Sequence, residues 1–169
     1  MSSELINEMI ETGIIRHAHF ELDNMHTDNL VGDGFIFNNV IGDKVNVMLF
    51  NSMKNIEFDG IIAVDNSALI ISYPLSLMFK CNLGVKIPGN DKLSPEVANT
   101  LNNVVIVKTI IESITDLNNI LKSITIPFNH IFCITNYSGV SFIDGISITE
   151  IVKVNCWKPE ECPHCKDEI

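Results

Sequence analysis

The sequence predicts an α/β fold with a central, mainly parallel sheet flanked by helices. Three observations point there. Gly60-Ile61-Ile62-Ala63-Val64 and Val104-Val105-Ile106-Val107 are short, unbroken apolar runs, as strands covered on both faces require. Helical spacing follows each of them, through Leu69, Ile70, Tyr73 and Leu77 after the first, and Leu117, Ile120, Leu121 and Ile124 after the second. Strand and helix signals alternate along the chain, the order that builds a parallel sheet with helices on both faces.

In chain order, Ser3 can cap a first helix carrying Leu5, Ile6, Met9 and Ile10, which Gly13 ends. Residues 14–37 mix short apolar stretches with three histidines and several Asp and Asn residues, and read as irregular or short-strand structure. Residues 45–53 favour a helix. The strand at residues 60–64 stops at Asp65-Asn66-Ser67, where Asn66 or Ser67 can cap the next helix. Leu83 to Ile87 is a further strand, and residues 88–103 read as a loop. After the strand at residues 104–107 and its helix come strands at His130–Thr135, Val140–Ile143 and Ile146–Val154. In such folds ligands bind beyond the carboxyl ends of the strands, which directs attention to residues 65–68, 108–116 and 136–140.

The chain has 169 residues, enough for one domain. Its 46% hydrophobic and 19% charged residues exclude a disordered chain. The longest apolar run, Ala68 to Phe79, is shorter than the roughly 20 residues a membrane-spanning helix needs. A formal net charge of −10 argues against nucleic acid. Arg16 is the only arginine, so a phosphate site must rest on lysine or backbone N–H groups. No cationic apolar leader opens the sequence, and a cytoplasmic protein is expected. The odd count of five cysteines fits a reduced compartment, with Cys81 and Cys133 as small core residues.

Four stretches carry a family likeness: TGIIRHAHFELDNMHTDNL (residues 12–30), DGIIAVDNSALIISYPLSLMF (59–79), NNVVIVKTIIESITDLNNILKSI (102–124) and WKPEECPHC (157–165). Together they resemble, end to end, the type I phosphoribosyltransferases, orotate phosphoribosyltransferase above all. The first is similar to the hood segment of that family through His19-Phe20, Leu22 and His26-Thr27-Asp28. The second resembles the strand, pyrophosphate loop and helix, and the third the strand, phosphoribosyl-diphosphate loop and helix. The fourth is similar to the tail of many relatives. The resemblance implies a single domain over residues 1–169, with a core at 41–140 and a small hood and tail from 1–40 and 141–169. It also implies a homodimer.

The chemistry departs from the family pattern. The acidic pair that binds the ribose hydroxyls and helps to place Mg²⁺ falls on Lys108 and Thr109, and a cation cannot accept hydrogen bonds from a diol. The phosphate-wrapping turn falls on Ile111, Glu112, Ser113, Ile114 and Thr115. Ile114 replaces a residue that needs conformational freedom. Glu112 brings a like charge toward a phosphate, at a cost of about 4 kcal/mol for charges about 4 Å apart at an effective dielectric near 20. The pyrophosphate loop reads Asp65-Asn66-Ser67-Ala68, and Lys86 and Lys92 are the remaining phosphate contacts. Candidate ligand-binding residues are therefore Asp65, Asn66, Ser67, Lys86, Lys92, Lys108, Thr109, Glu112, Ser113 and Thr115. Lys108 can instead pair with Asp65 or Glu112, and Ser113 and Thr115 can simply cap a helix.

Two further groups bear on metal chemistry. His17, His19, His26 and Asp28 have no standard zinc spacing, and His19 and His26 read as loop-holding hydrogen-bonding residues. Cys162-Pro163-His164-Cys165 supplies half of a four-ligand zinc site, with His164 or Cys156 as a third ligand or a second chain completing it, or else forms a knuckle or disulfide. No catalytic nucleophile arrangement stands out. The expected function is a phosphoribosyltransferase-fold protein that has lost its catalytic motif. It would act as a ligand-binding, regulatory or protein-interaction module, with a nucleotide-like ligand or a protein partner and no resident cofactor. The alternatives are an active Mg²⁺-dependent transferase for orotate or another base, and an assembly subunit whose apolar surface lies around residues 68–87.

Overall fold

The computed structural model describes residues 2–22, 25–86 and 99–166. The elements are α1 (Ser2–Glu11), β1 (Ile15–Leu22), β2 (Met25–Val31), α2 (Asn39–Met53), β3 (Gly60–Ala63), α3 (Asn66–Phe79), β4 (Asn82–Val85), β5 (Val104–Ile111), α4 (Ile114–Lys122), β6 (Phe128–Asn136), β7 (Phe142–Ile143), β8 (Ile146–Glu150), β9 (Cys156–Trp157) and α5 (Pro163–Lys166). Short 3₁₀ turns cover Asp33–Phe37 and Pro159–Glu161. Among the described residues no helix is long and apolar enough to cross a membrane.

The six-stranded sheet runs β4-β3-β5-β6-β8-β7, with every pair parallel except β7 with β8. Its unbroken apolar strands alternate between two cores. Ile61, Ala63, Val105, Val107, Phe132 and Ile134 face α1, α2 and α3 through Leu5, Met9, Val45, Leu49, Ile71 and Leu75. Ile62, Val104, Ile106, Ile131 and Cys133 face α4 through Leu117 and Leu121. An isolated apolar run cannot reveal this division, but a strand with apolar residues in both phases requires a cover on both sides. Cys133 is buried, as expected of a small core residue, and burial pushes its thiol well above the ordinary range.

The structure revises three sequence expectations. Residues 14–37 form an antiparallel hairpin, β1 with β2, followed by a 3₁₀ turn. Most of β1 is exposed or half-buried, so it lacks the apolar phase that would have announced a strand. Residues 142–150 extend the large sheet instead of joining the hood. The hood is the three-stranded β1-β2-β9 sheet, in which Cys156 and Trp157 are the tail residues that take part among those described. The strand expected at 83–87 is seen as Asn82–Val85, and most of the loop expected at 88–103 lies outside the described residues. The β7–β8 reversal turns on Asp144 and Gly145, both at positive φ (50° and 83°), a pairing suited to a two-residue hairpin.

One side chain ties the hood to the large sheet. Tyr137, just beyond β6, is fully buried, and its hydroxyl accepts a 2.6 Å hydrogen bond from the Val31 N–H at the end of β2. The Tyr137 N–H donates to the Ile111 carbonyl at the end of β5. Tyr137→Phe leaves a buried N–H unpaired and should cost about 1–3 kcal/mol of stability, read from the urea midpoint. Burial, more than any neighbouring charge, pushes the Tyr137 hydroxyl up to about 12 from an ordinary 10.0. The unfolded chain therefore loses this proton first, and stability should fall as pH rises from 10 to 12. In Tyr137→Phe that share of the alkaline loss disappears.

Candidate functional site

A cleft of about 550 Å³ opens at the carboxyl ends of β3 and β5, where a parallel sheet places its ligands. The residues after β3 (Asp65, Asn66, Ser67), the end of β5 and its continuation (Lys108, Thr109, Ile110, Glu112, Ser113), Asp116 of α4, and Gly32 and Asp33 from the end of the hood hairpin line it. Seven of the ten sequence candidates therefore meet in one place. Lys86 is buried just after β4, outside the cleft lining. Thr115 lies in the first turn of α4, also away from the lining. Lys92 lies outside the described residues. Sequence reasoning missed Gly32 and Asp33, because nothing local in a Gly-Asp-Gly turn says which distant strand it will face.

Asp65 is the hub of the cleft. Its carboxylate accepts from the Ala68 N–H (2.6 Å), the Thr109 N–H (3.0 Å) and the Thr109 hydroxyl (2.7 Å). Lys108 Nζ stands 3.5 Å away as an ion-pair partner, with both side chains largely covered. The first of these bonds makes Asp65 the N-cap of α3, in place of the Asn66 or Ser67 expected. The other contacts hold Thr109 and Lys108 to the same carboxylate, and Lys108 makes its ion pair there rather than with Glu112. Lys108 and Thr109, the positions the resemblance assigns to diol-binding acids, are thus drawn to a neighbouring loop.

The turn beyond β5 is shorter than the resemblance implies. Ile110 and Ile111 continue the ladder, pairing with Thr135 and Asn136 of β6. The helix starts at Ile114, leaving Glu112 and Ser113 as the whole connection. A phosphate cradle needs several successive N–H groups turned toward one point. Here the Thr109 N–H goes to Asp65, and the Asp116 N–H points to its own cap, the Ser113 hydroxyl, at 3.5 Å. Asp116 also puts a carboxylate in the first turn of α4, where it complements the helix dipole and opposes an incoming anion. Among the described residues the lining carries four carboxylates (Asp33, Asp65, Glu112 and Asp116) against one ammonium, Lys108.

A second group of reactive side chains lies in the hood. His19 of β1, His26 of β2, and Cys162 and Cys165 of the tail bring their ligand atoms within 4.8 Å of one another. His164 is not part of this group. Its ring packs on His19 with centroids 5.4 Å apart and meets Trp157 edge-on. Cys156 is half-buried in β9, and burial pushes its thiol up to about 11. His17 turns to Asn29, Nδ1 to Oδ1 at 3.1 Å. The sequence signal for the group was present in two halves, a histidine-rich hairpin and a Cys-x-x-Cys tail, with no indication that they meet.

Removing the hub should be felt in stability. Asp65→Ala takes away a helix cap and orphans Thr109 and Lys108, at a cost of about 2 kcal/mol in the urea midpoint. Asp65→Asn keeps the cap and should lose less.

No family model and no curated protein matches the sequence. Solved structures do match. Orotate phosphoribosyltransferase from Aeropyrum pernix superposes with a TM-score of 0.73 at 13% identity, over 88% of this chain and 93% of that one. UMP synthase from Leishmania donovani gives 0.69 at 16% identity, over 89% of this chain and 36% of that longer one. A phosphoribosyltransferase from Corynebacterium diphtheriae gives 0.60 at 12% identity, over 89% and 94%. With its mainly parallel sheet, flanking helices and small hood, the chain has the type I phosphoribosyltransferase fold.

Proposed function

We propose that this chain is a ligand-binding or regulatory module that retains the phosphoribosyltransferase fold without the transferase reaction. The observation that carries the reading is the Asp65–Lys108–Thr109 cluster at the strand ends. It lies where the resemblance puts a diol-binding pair, and the described lining of the cleft is rich in carboxylates. Such a cleft disfavours a sugar diphosphate and favours an uncharged or cationic guest with hydrogen-bonding edges, such as a nucleobase or nucleoside. The setting proposed is the cytoplasm.

Titration calorimetry of the full chain with phosphoribosyl diphosphate and Mg²⁺ tests this. The expected result is no binding heat up to about 1 mM, that is, no interaction stronger than about 4 kcal/mol, and no turnover of orotate. Micromolar binding with turnover of orotate or another base would establish the active transferase instead. The double variant Lys108→Asp/Thr109→Asp should remain inactive, because it crowds carboxylates around Asp65 and restores no phosphate loop. It should also be less stable than the parent.

A second reading has its own support. On α3, Ile70, Tyr73 and Leu77 recur at helical spacing and are 51%, 59% and 61% exposed, with Met78 beside them. A contiguous apolar stripe of this kind suits a protein partner, and we assign it to a second copy of the chain, giving a homodimer. Light scattering should return the mass of two chains, and Leu77→Glu should return one. A parent that is monomeric would remove this reading.

A further inference from the structure

We propose that His19, His26, Cys162 and Cys165 form a structural zinc site that fastens the carboxyl-terminal tail to the hood hairpin. The proposal rests on none of the reading of the cleft. Zinc bound tetrahedrally, with bonds of ~2.3 Å to sulfur and ~2.0–2.1 Å to nitrogen, sets ligand separations of about 3.3 Å for N to N, 3.6 Å for N to S and 3.8 Å for S to S. The structure has His19 Nε2 to His26 Nδ1 at 3.1 Å and Cys165 Sγ to His26 Nδ1 at 3.2 Å. Cys162 Sγ and Cys165 Sγ lie 3.5 and 3.7 Å from His19 Nε2. Hydrogen bonding alone explains this convergence poorly. A neutral imidazole nitrogen carries one proton or one lone pair, whereas His19 Nε2 has three ligand-type atoms around it. One cation at the centre satisfies all four.

The local backbone builds the site. The β1–β2 ladder shifts register by one residue between His17 and Phe20, a β-bulge. Downstream of it Glu21 pairs with His26, so His19, two residues earlier, shares the face of His26. The tail arrives through β9, where Trp157 pairs with His26 and Cys156 with Thr27, and the Thr27 hydroxyl donates to the Asn155 carbonyl at 2.7 Å. Among the described residues beyond β9 are a three-residue 3₁₀ turn and a four-residue helix, each too short to hold itself in place. Cys162 is nevertheless fully buried. Two thiolates and two imidazoles in a closed four-ligand set select zinc among the common divalent ions. On binding, each thiol gives its proton to solvent, each imidazole donates a lone pair, and the centre carries no net charge.

The test is the metal content of the full chain after zinc loading and desalting, with Co²⁺ substitution as the spectroscopic probe. The expected result is one zinc per chain and, with cobalt, the intense visible bands of a tetrahedral ion together with thiolate charge transfer. Cys162→Ser/Cys165→Ser and His19→Ala should each lower zinc affinity at least tenfold, whereas His164→Ala should keep the full complement. A strong chelator should lower the parent's melting temperature by about 5 °C. Less than about one-tenth of an equivalent in the parent, an octahedral cobalt spectrum, a Cys162–Cys165 disulfide in the freshly purified chain, or zinc kept by His19→Ala and lost by His164→Ala would each overturn the proposal. If a variant fails to fold, the cobalt spectrum of the parent still decides.

Discussion

The cleft depends on where one carboxylate spends its hydrogen bonds. Asp65 sits where β3 meets α3 and faces the end of β5, so it joins three elements through Ala68, Thr109 and Lys108. Each bond alone is worth on the order of 1 kcal/mol. Together they fix the relative height of two strand ends and the start of a helix, which is the geometry a strand-end site needs. The same bonds leave little of that carboxylate for a guest. Stability of the scaffold and engagement of this carboxylate thus come from the same atoms.

Electrostatics reinforce this division. Helix N-termini are natural anion sites, and two of them, those of α3 and α4, open toward the cleft. Asp65 caps the first, and Ser113 with Asp116 closes the second. The positive ends of both dipoles are therefore answered from within the chain. The hood repeats the pattern of distant segments held by side chains, since Tyr137 grips the Val31 backbone and the tail lies across β2.

Much of the fold was legible because β3, β5 and β6 are buried on both faces and so carry continuous apolar runs. Ser113 as a helix cap and Cys133 as a core residue were legible for local reasons, whereas the sequence left Lys108 open between Asp65 and Glu112. The hood was not. A hairpin with one largely exposed strand and polar His26 and Thr27 buried in the other has no apolar phase to read, and strict alternation would put His17 and His19 on one face. The bulge sends them to different neighbours, His17 to Asn29 and His19 to His26. The short link after β5 was hidden as well. The β-branched pair Ile110-Ile111 extends the ladder as far as Asn136, so residues 111–115 do not make a five-residue turn. The contribution of Asp33 to the cleft is purely tertiary and had no sequence signal.

The Glu112–Ser113 link has a kinetic consequence. A span of two residues, pinned by a strand pair on one side and a capped helix on the other, has no slack to wrap around an incoming molecule. This wall of the cleft is held on both sides before any encounter, and a guest would meet it by shape matching rather than by enclosure. Little ordering entropy has to be surrendered on association. Nothing in that wall folds over the visitor to hold it afterward, so this wall favours rapid exchange over long residence.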